Sequence, residues 1–123
     1  MSEVLGSFFL AFLYLTQTEE KTKVSKDPAI TTLIIAASYV AALTMVSGPF
    51  QVLPCLNPAI GFGASMQQAY NSESDGWQTA YVFLLMPFAG SVIAVIFFEF
   101  VYKKVFEAIT ESEEVDGILD GVN

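Results

Sequence analysis

A helix start sits between long apolar runs at Pro54 to Met66, which reads Pro-Cys-Leu-Asn-Pro-Ala-Ile-Gly-Phe-Gly-Ala-Ser-Met. Asn57 has the short oxygen-bearing side chain that accepts from the first free N–H groups of a helix. Pro58 loses nothing at the first helical position, because its missing donor would have no partner there. A helix from Asn57 to Met66 is about 15 Å long, half of a hydrocarbon core of roughly 30 Å. Between membrane-length segments, such a helix starts inside the bilayer. The sequence therefore predicts a half-spanning, re-entrant element with its N-terminal dipole and the Asn57 amide at the midplane. A polar group there is of the kind that excludes cations and orients neutral solutes. An isolated Asn-Pro pair is more often an ordinary capped helix in a loop; the flanking segments carry the membrane reading.

Those segments follow from composition. The chain has 123 residues, 54% of them hydrophobic, with a mean hydropathy of +0.55, too apolar for an ordinary soluble domain and suited to one small integral membrane domain. Its net charge of −8 argues against nucleic acid or an anionic membrane surface as partner. The chain has no histidine and the single cysteine Cys55, so an internal disulfide and a histidine-assisted nucleophile are excluded. No metal or cofactor site is expected, and Glu3 and Glu99 fall on separate helices, so no enzymatic constellation emerges. The apolar run from Val4 lacks a basic flank and a small-residue cleavage pattern, and reads as a retained helix.

Taken in order, the first apolar segment covers Met1 to Thr16, about 24 Å of helix and short for a span. A polar linker, Gln17 to Asp27, follows, with Asp27 as N-cap and Pro28 opening the second segment, Pro28 to Val46. Ala36, Ala37, Ser38, Ala41 and Ala42 supply small residues for a close helix contact. Gly48-Pro49 is expected to end that segment. Phe50 to Leu56 then re-enters as irregular chain, tolerated at membrane depth only inside protein or beside water. Tyr70 to Gly76 reads as a surface loop. The third segment, Trp77 to Tyr102, has Trp77 and Tyr81 at one interface and Tyr102, Lys103 and Lys104 at the other. From Glu107 onward the chain is acidic, and reads either as a short amphipathic segment or as disordered. The expected fold is an all-α integral membrane protein with three transmembrane helices and one re-entrant half-helix. All five lysines fall after the first and third segments. Three crossings then put loop 17–27 and the C-terminus on one side, cytoplasmic or, in a mitochondrial inner membrane, matrix.

Asn57-Pro58-Ala59 with Gly61-Phe62-Gly63, then Trp77, Tyr81 and Pro87-Phe88-Ala89-Gly90, preceded by Glu3, Gly6, Ser7 and Phe8, resembles the aquaporin (major intrinsic protein) family, in particular its second half. The resemblance implies a half-domain over residues 1–104 and an acidic tail over 105–123. It implies a buried Glu3 that holds backbone N–H groups of the re-entrant loop; the residues alone equally allow a solvated Glu at a helix start. Gly90 falls at the family's last-helix start and Glu99 at an acidic position of that helix. The half departs from the family at two places. Ile60 stands where an arginine usually follows the triplet, and Met45 stands where water-selective members carry histidine. Both replacements leave an apolar constriction.

A family pore needs two inverted Asn-Pro-Ala half-helices, and this chain carries one triplet. One expectation is a degenerate half acting as an accessory subunit of a larger membrane complex, a hetero-oligomer with other membrane chains in the lipid bilayer. The alternative is half of a split channel for water or a small neutral solute, completed by a partner chain.

Overall fold

A computed structural model describes residues 2–50, 55–71 and 75–120. These residues are helical with short connections: α1 (Ser2–Thr18), α2 (Pro28–Phe50), α3 (Pro58–Tyr70), α4 (Asp75–Phe97), a π-helical turn over Phe98–Tyr102, and α5 (Lys103–Asp120), with no strand among them. Two stretches are long and apolar enough to cross a membrane, Pro28–Ser47 and Ala80–Glu113. α1 has 17 residues, about 25 Å of helix, near but under the usual spanning length.

α1 is the axis of the bundle. It packs on α2 and on α4, while α3 packs on α4 alone. On α2 the contact is made by Ser38, Ala42 and Val46, buried at i, i+4 and i+8. Of the small residues expected to form one face, Ala36, Ala37 and Ala41 are exposed instead of buried against α1; the 100° step per residue puts them off the Ser38 stripe. Ser38 Oγ donates back to Ile34 O at 2.7 Å, so its hydroxyl costs nothing in an apolar contact. Few large side chains are buried, Phe98 among them, and Leu33, Leu85, Ile93 and Phe100 are exposed. That inside-small, outside-large pattern suits helices that pack by close contact in lipid.

Several boundaries differ from the sequence expectation for local reasons. α1 runs two residues further, to Thr18, because Thr16 Oγ1 and Thr18 Oγ1 donate to carbonyls in the preceding turn and Glu19 N reaches Leu15 O. Asp27 caps α2 as expected, accepting from Ala29 N at 2.8 Å. α2 then continues through Gly48-Pro49 to Phe50, so the pair does not end the helix as expected. Pro49 removes one donor, the partner of the Met45 carbonyl, yet leaves the helical path intact as far as Phe50, the last described residue of this stretch. The irregular stretch expected over Phe50 to Leu56 lies mostly outside the described residues, and the expected loop around Tyr70 to Gly76 does so in part.

The third segment starts at Asp75 and does not stop at Tyr102. With the π-turn and α5 it forms one continuous 46-residue helical run. The acidic tail is thus helical as far as Asp120. At the π-turn an aromatic cluster ties this run to α1: Phe12 lies 5.2 Å from Tyr102 and 5.6 Å from Phe97, both edge-on, and Phe98 stacks on Tyr102 at 5.6 Å. Such pairs add about 0.5–1.5 kcal/mol each beyond their buried area.

Candidate functional site

The site grows from a two-residue bend. Leu56 has φ of 48°, in the left-handed region that a branched residue enters only at a cost of order 1–3 kcal/mol. This bend aims two successive backbone N–H groups at one point, making a small anion-binding nest. Glu3 fills it: Cys55 N donates to Oε1 at 2.8 Å and Leu56 N donates to Oε2 at 2.9 Å. Glu3 is buried at 2% exposure, so its carboxylate is shared between two amides rather than with water. Of the two situations left open by the residues, the structure places Glu3 in the loop-holding one.

Leu56 also anchors the bend through its side chain, which lies against Gly6. A Cβ added at Gly6 would meet Leu56 Cδ2 at 2.5 Å and Val46 Cγ2 at 3.0 Å, so a larger residue here would make the Leu56 side chain shift from its place between α1, α2 and the bend. Next in the chain, Asn57 is extended (φ −139°, ψ 116°) and its Oδ1 accepts from Ala59 N at 3.0 Å. Its own carbonyl accepts from Gly61 N at 3.0 Å, starting α3. Pro58 occupies the first helical position. α3 is held against α4 where Gly61 meets Phe83, whose Cβ stands 2.5 Å from where a Gly61 Cβ would be. Pro87 lies one turn beyond inside α4 and leaves the Phe83 carbonyl without its helical donor.

The structure brings Glu3, Asn57, Pro58 and Ala59 together at the start of α3. Asn57 and Ala59 are exposed there, as is Ile60 at 55%; Met45, at 44%, is exposed on α2, which makes no contact with α3 among the described residues. Gly90 is buried against α1. Glu99 belongs elsewhere: it is exposed near the far end of α4, with Oε2 3.6 Å from Lys103 Nζ. At that end Lys103 also approaches Glu19 at 3.8 Å and Lys21 pairs with Glu107 at 3.1 Å, tying loop 17–27 to the helical run. Tyr102 is packed on Phe12 there, while Lys104 lies 6.0 Å over the Phe100 ring. Trp77 and Tyr81 are exposed on the first turns of α4. In the linker, a hydrogen bond from Lys23 and its charge hold the Glu20 carboxyl below its ordinary range.

Sequence reasoning missed Leu56 as the strained hinge. No residue type marks it, because the demand for a left-handed bend arises from Glu3, 53 residues away. Also unanticipated is an open groove of about 560 Å³ along α1, lined mainly by Leu10, Ala11, Leu15, Ile35 and Val95, with Ser7 at its floor. Ser7 Oγ is buried without a hydrogen-bond partner, whereas Ser38, Ser47, Ser65 and Ser91 each donate to the carbonyl one turn back.

Two apolar stretches long enough to cross a membrane, with a carboxylate-held, asparagine-capped helix start packed on one of them, define an all-helical integral membrane protein. Residues 1–98 match the family model described as major intrinsic protein, and the chain belongs to that family, whose members are channels. No curated protein and no solved structure matched in the corresponding searches.

Proposed function

We propose that the chain is an aquaporin-like half serving as a structural, accessory subunit of a larger membrane complex. α1, α2 and α4 cross the bilayer in this proposal and α3 is the re-entrant half-helix. The observation that carries it is how the polar groups at the start of α3 are used. Both Glu3 oxygens and Asn57 Oδ1 are bonded to backbone of that same segment. Ile60, next in the chain after the triplet, presents only an apolar side chain, as does Met45 on α2, which does not pack on α3. A segment built this way holds a fold together and offers a solute little to bind. The linkage of loop 17–27 to the end of the long helical run supports placing all five lysines on one side, cytoplasmic or matrix.

The deciding experiment is the mass and chain composition of the particle extracted in mild detergent. A large particle with many unrelated chains is expected, and a particle of this chain with one complementary half rejects the accessory role. Asn57→Ala is expected to cost about 1 kcal/mol through the lost cap, read as lower thermal stability of the particle without a separate transport defect. Loss of solute flux from an intact particle would contradict that.

One observation favours the second reading, half of a split channel: Asn57 is exposed, leaving its amide N–H₂ facing outward from the start of α3. On that reading, liposomes holding the chain and its partner swell faster than empty ones under an osmotic gradient. Equal swelling rejects it for the solute tested.

A further inference from the structure

The continuous run from Asp75 to Asp120 is about 69 Å long at 1.5 Å per residue, more than twice a hydrocarbon core of roughly 30 Å. With Lys103 and Lys104 at the interface, as the anchor pattern expects, α5 stands in water beyond that end. Among the described residues its only element contact is the π-turn it grows from, so it leans on no other helix.

Two features show that this helix is unfinished alone. Residues 105–120 carry Glu107, Glu111, Glu113, Glu114, Asp116 and Asp120 and no basic residue. Glu107 and Glu111 are one turn apart, as are Asp116 and Asp120, and like charges at that spacing repel. Asp116 and Asp120 also lie towards the C-terminal end, where the helix dipole disfavours anions. Against this stands one ion pair among the described residues, from Lys21 to Glu107, between exposed groups. The second feature is a seam: Val105, Ala108, Ser112, Val115 and Leu119 recur at alternating spacings of three and four. That is the period with which one helix meets another. Val105, Ala108 and Ser112 are exposed, with Ile109 beside them at 52% exposure.

We infer that α5 is a docking helix for a basic amphipathic helix of another protein chain. This names partner chemistry for the accessory role proposed above and rests on it. The charge selects the occupant. A second copy of α5 would set six acids against six, and an anionic lipid surface is repelled in the same way. A helix with lysines or arginines flanking an apolar seam relieves the repulsion and covers the seam together.

The test uses the full chain in nanodiscs of phosphatidylcholine and two labelled helical peptides of about four heptads, each with leucine at the seam positions. One flanks the seam with lysine and the other with glutamate. The lysine peptide is expected to bind at least about tenfold more tightly than the glutamate peptide, and than a non-helical oligolysine of equal charge. The triple change Glu107→Gln, Glu111→Gln, Glu113→Gln, and separately Val115→Asp, are each expected to weaken it about tenfold, with helix content checked by circular dichroism. No binding of the lysine peptide, or equal binding of the two peptides, overturns the inference. So does binding unaffected by Val115→Asp, which is adsorption of a polycation, or self-association of the chain through α5. The accessory role fails separately: a large native particle that Val115→Asp leaves intact removes the docking helix and keeps that role, whereas a small two-chain particle removes the role itself.

Discussion

Replacing Glu3 with alanine is expected to lower the stability of the fold by about 2–5 kcal/mol, because two backbone donors inside the bundle lose their only acceptor at once. Each unsatisfied buried N–H costs about 1–3 kcal/mol, and Leu56 N is buried while Cys55 N is partly so. The Leu56 bend adds to this. Its left-handed conformation is held by those same two bonds, so once they are gone the strain favours a different path for the chain. Glu3→Gln keeps the shape and one acceptor oxygen but turns its N–H₂ towards the second donor, so an intermediate loss is expected. Glu3→Asp is one methylene shorter and is expected to keep one bond at most.

Two readouts check this. The midpoint of unfolding in a dodecyl sulfate titration, followed by far-UV circular dichroism, should fall in the order wild type, Gln, Ala. Cys55, the only cysteine, lies on the clamped bend and is half-buried, so a maleimide should label it faster as the clamp weakens. Wild-type labelling and an unmoved midpoint in Glu3→Ala would mean that the two hydrogen bonds do not hold the bend. The comparison with Asn57→Ala is informative, because that change frees one exposed helix-start donor and should move the midpoint much less.

Which parts of this arrangement were legible in the sequence follows from how local each cause is. Asn57-Pro58 and Asp27-Pro28 announce helix starts by themselves, because capping involves residues two apart, and both caps form as expected. The apolar character of the segments after Pro28 and Ala80 is likewise a property of each segment alone. Glu3 was legible only through its resemblance to a family pattern, since nothing near it in the chain signals a partner 52 residues on. The expected end of α2 at Gly48-Pro49 fails because Pro49 forbids one hydrogen bond without breaking the helical path, and α2 passes through it to Phe50. The length of the final helix was hidden for a different reason. The acids after Glu107 argue against a helix in isolation, whereas the structure extends one from a membrane segment already formed, so the costly nucleation step does not arise there.

Small residues test the packing most directly, since close approach rather than hydrophobic driving force holds helices together in lipid. Gly90→Ala is expected to destabilise the fold by at least about 1–3 kcal/mol, the usual cost of overpacking. A Cβ at Gly90 would fall on the carbonyl oxygen of Val4 and within 3.0 Å of Phe8 N and Ser7 Cβ, and backbone cannot turn aside as a side chain can. Gly61→Ala should also destabilise, since its Cβ would meet the Cβ of Phe83, the root of that side chain rather than its tip. Gly63 lies two residues further along the same helix with nothing within 4 Å of its would-be Cβ. Gly63→Ala should therefore be neutral or stabilising by up to about 1 kcal/mol, the helix-propensity difference between the two residues. The three changes are chemically identical, so opposite signs isolate packing from propensity. Gly90 carries a further consequence. Val4 directly follows Glu3, so pushing α1 off α4 at that point moves the clamp as well, and Cys55 labelling should accelerate in Gly90→Ala although the two residues are 35 positions apart. Combined with Glu3→Ala, the two losses should sum to less than their separate values, because each change releases part of the same contact. Full additivity would show instead that α1 holds α4 and the bend independently.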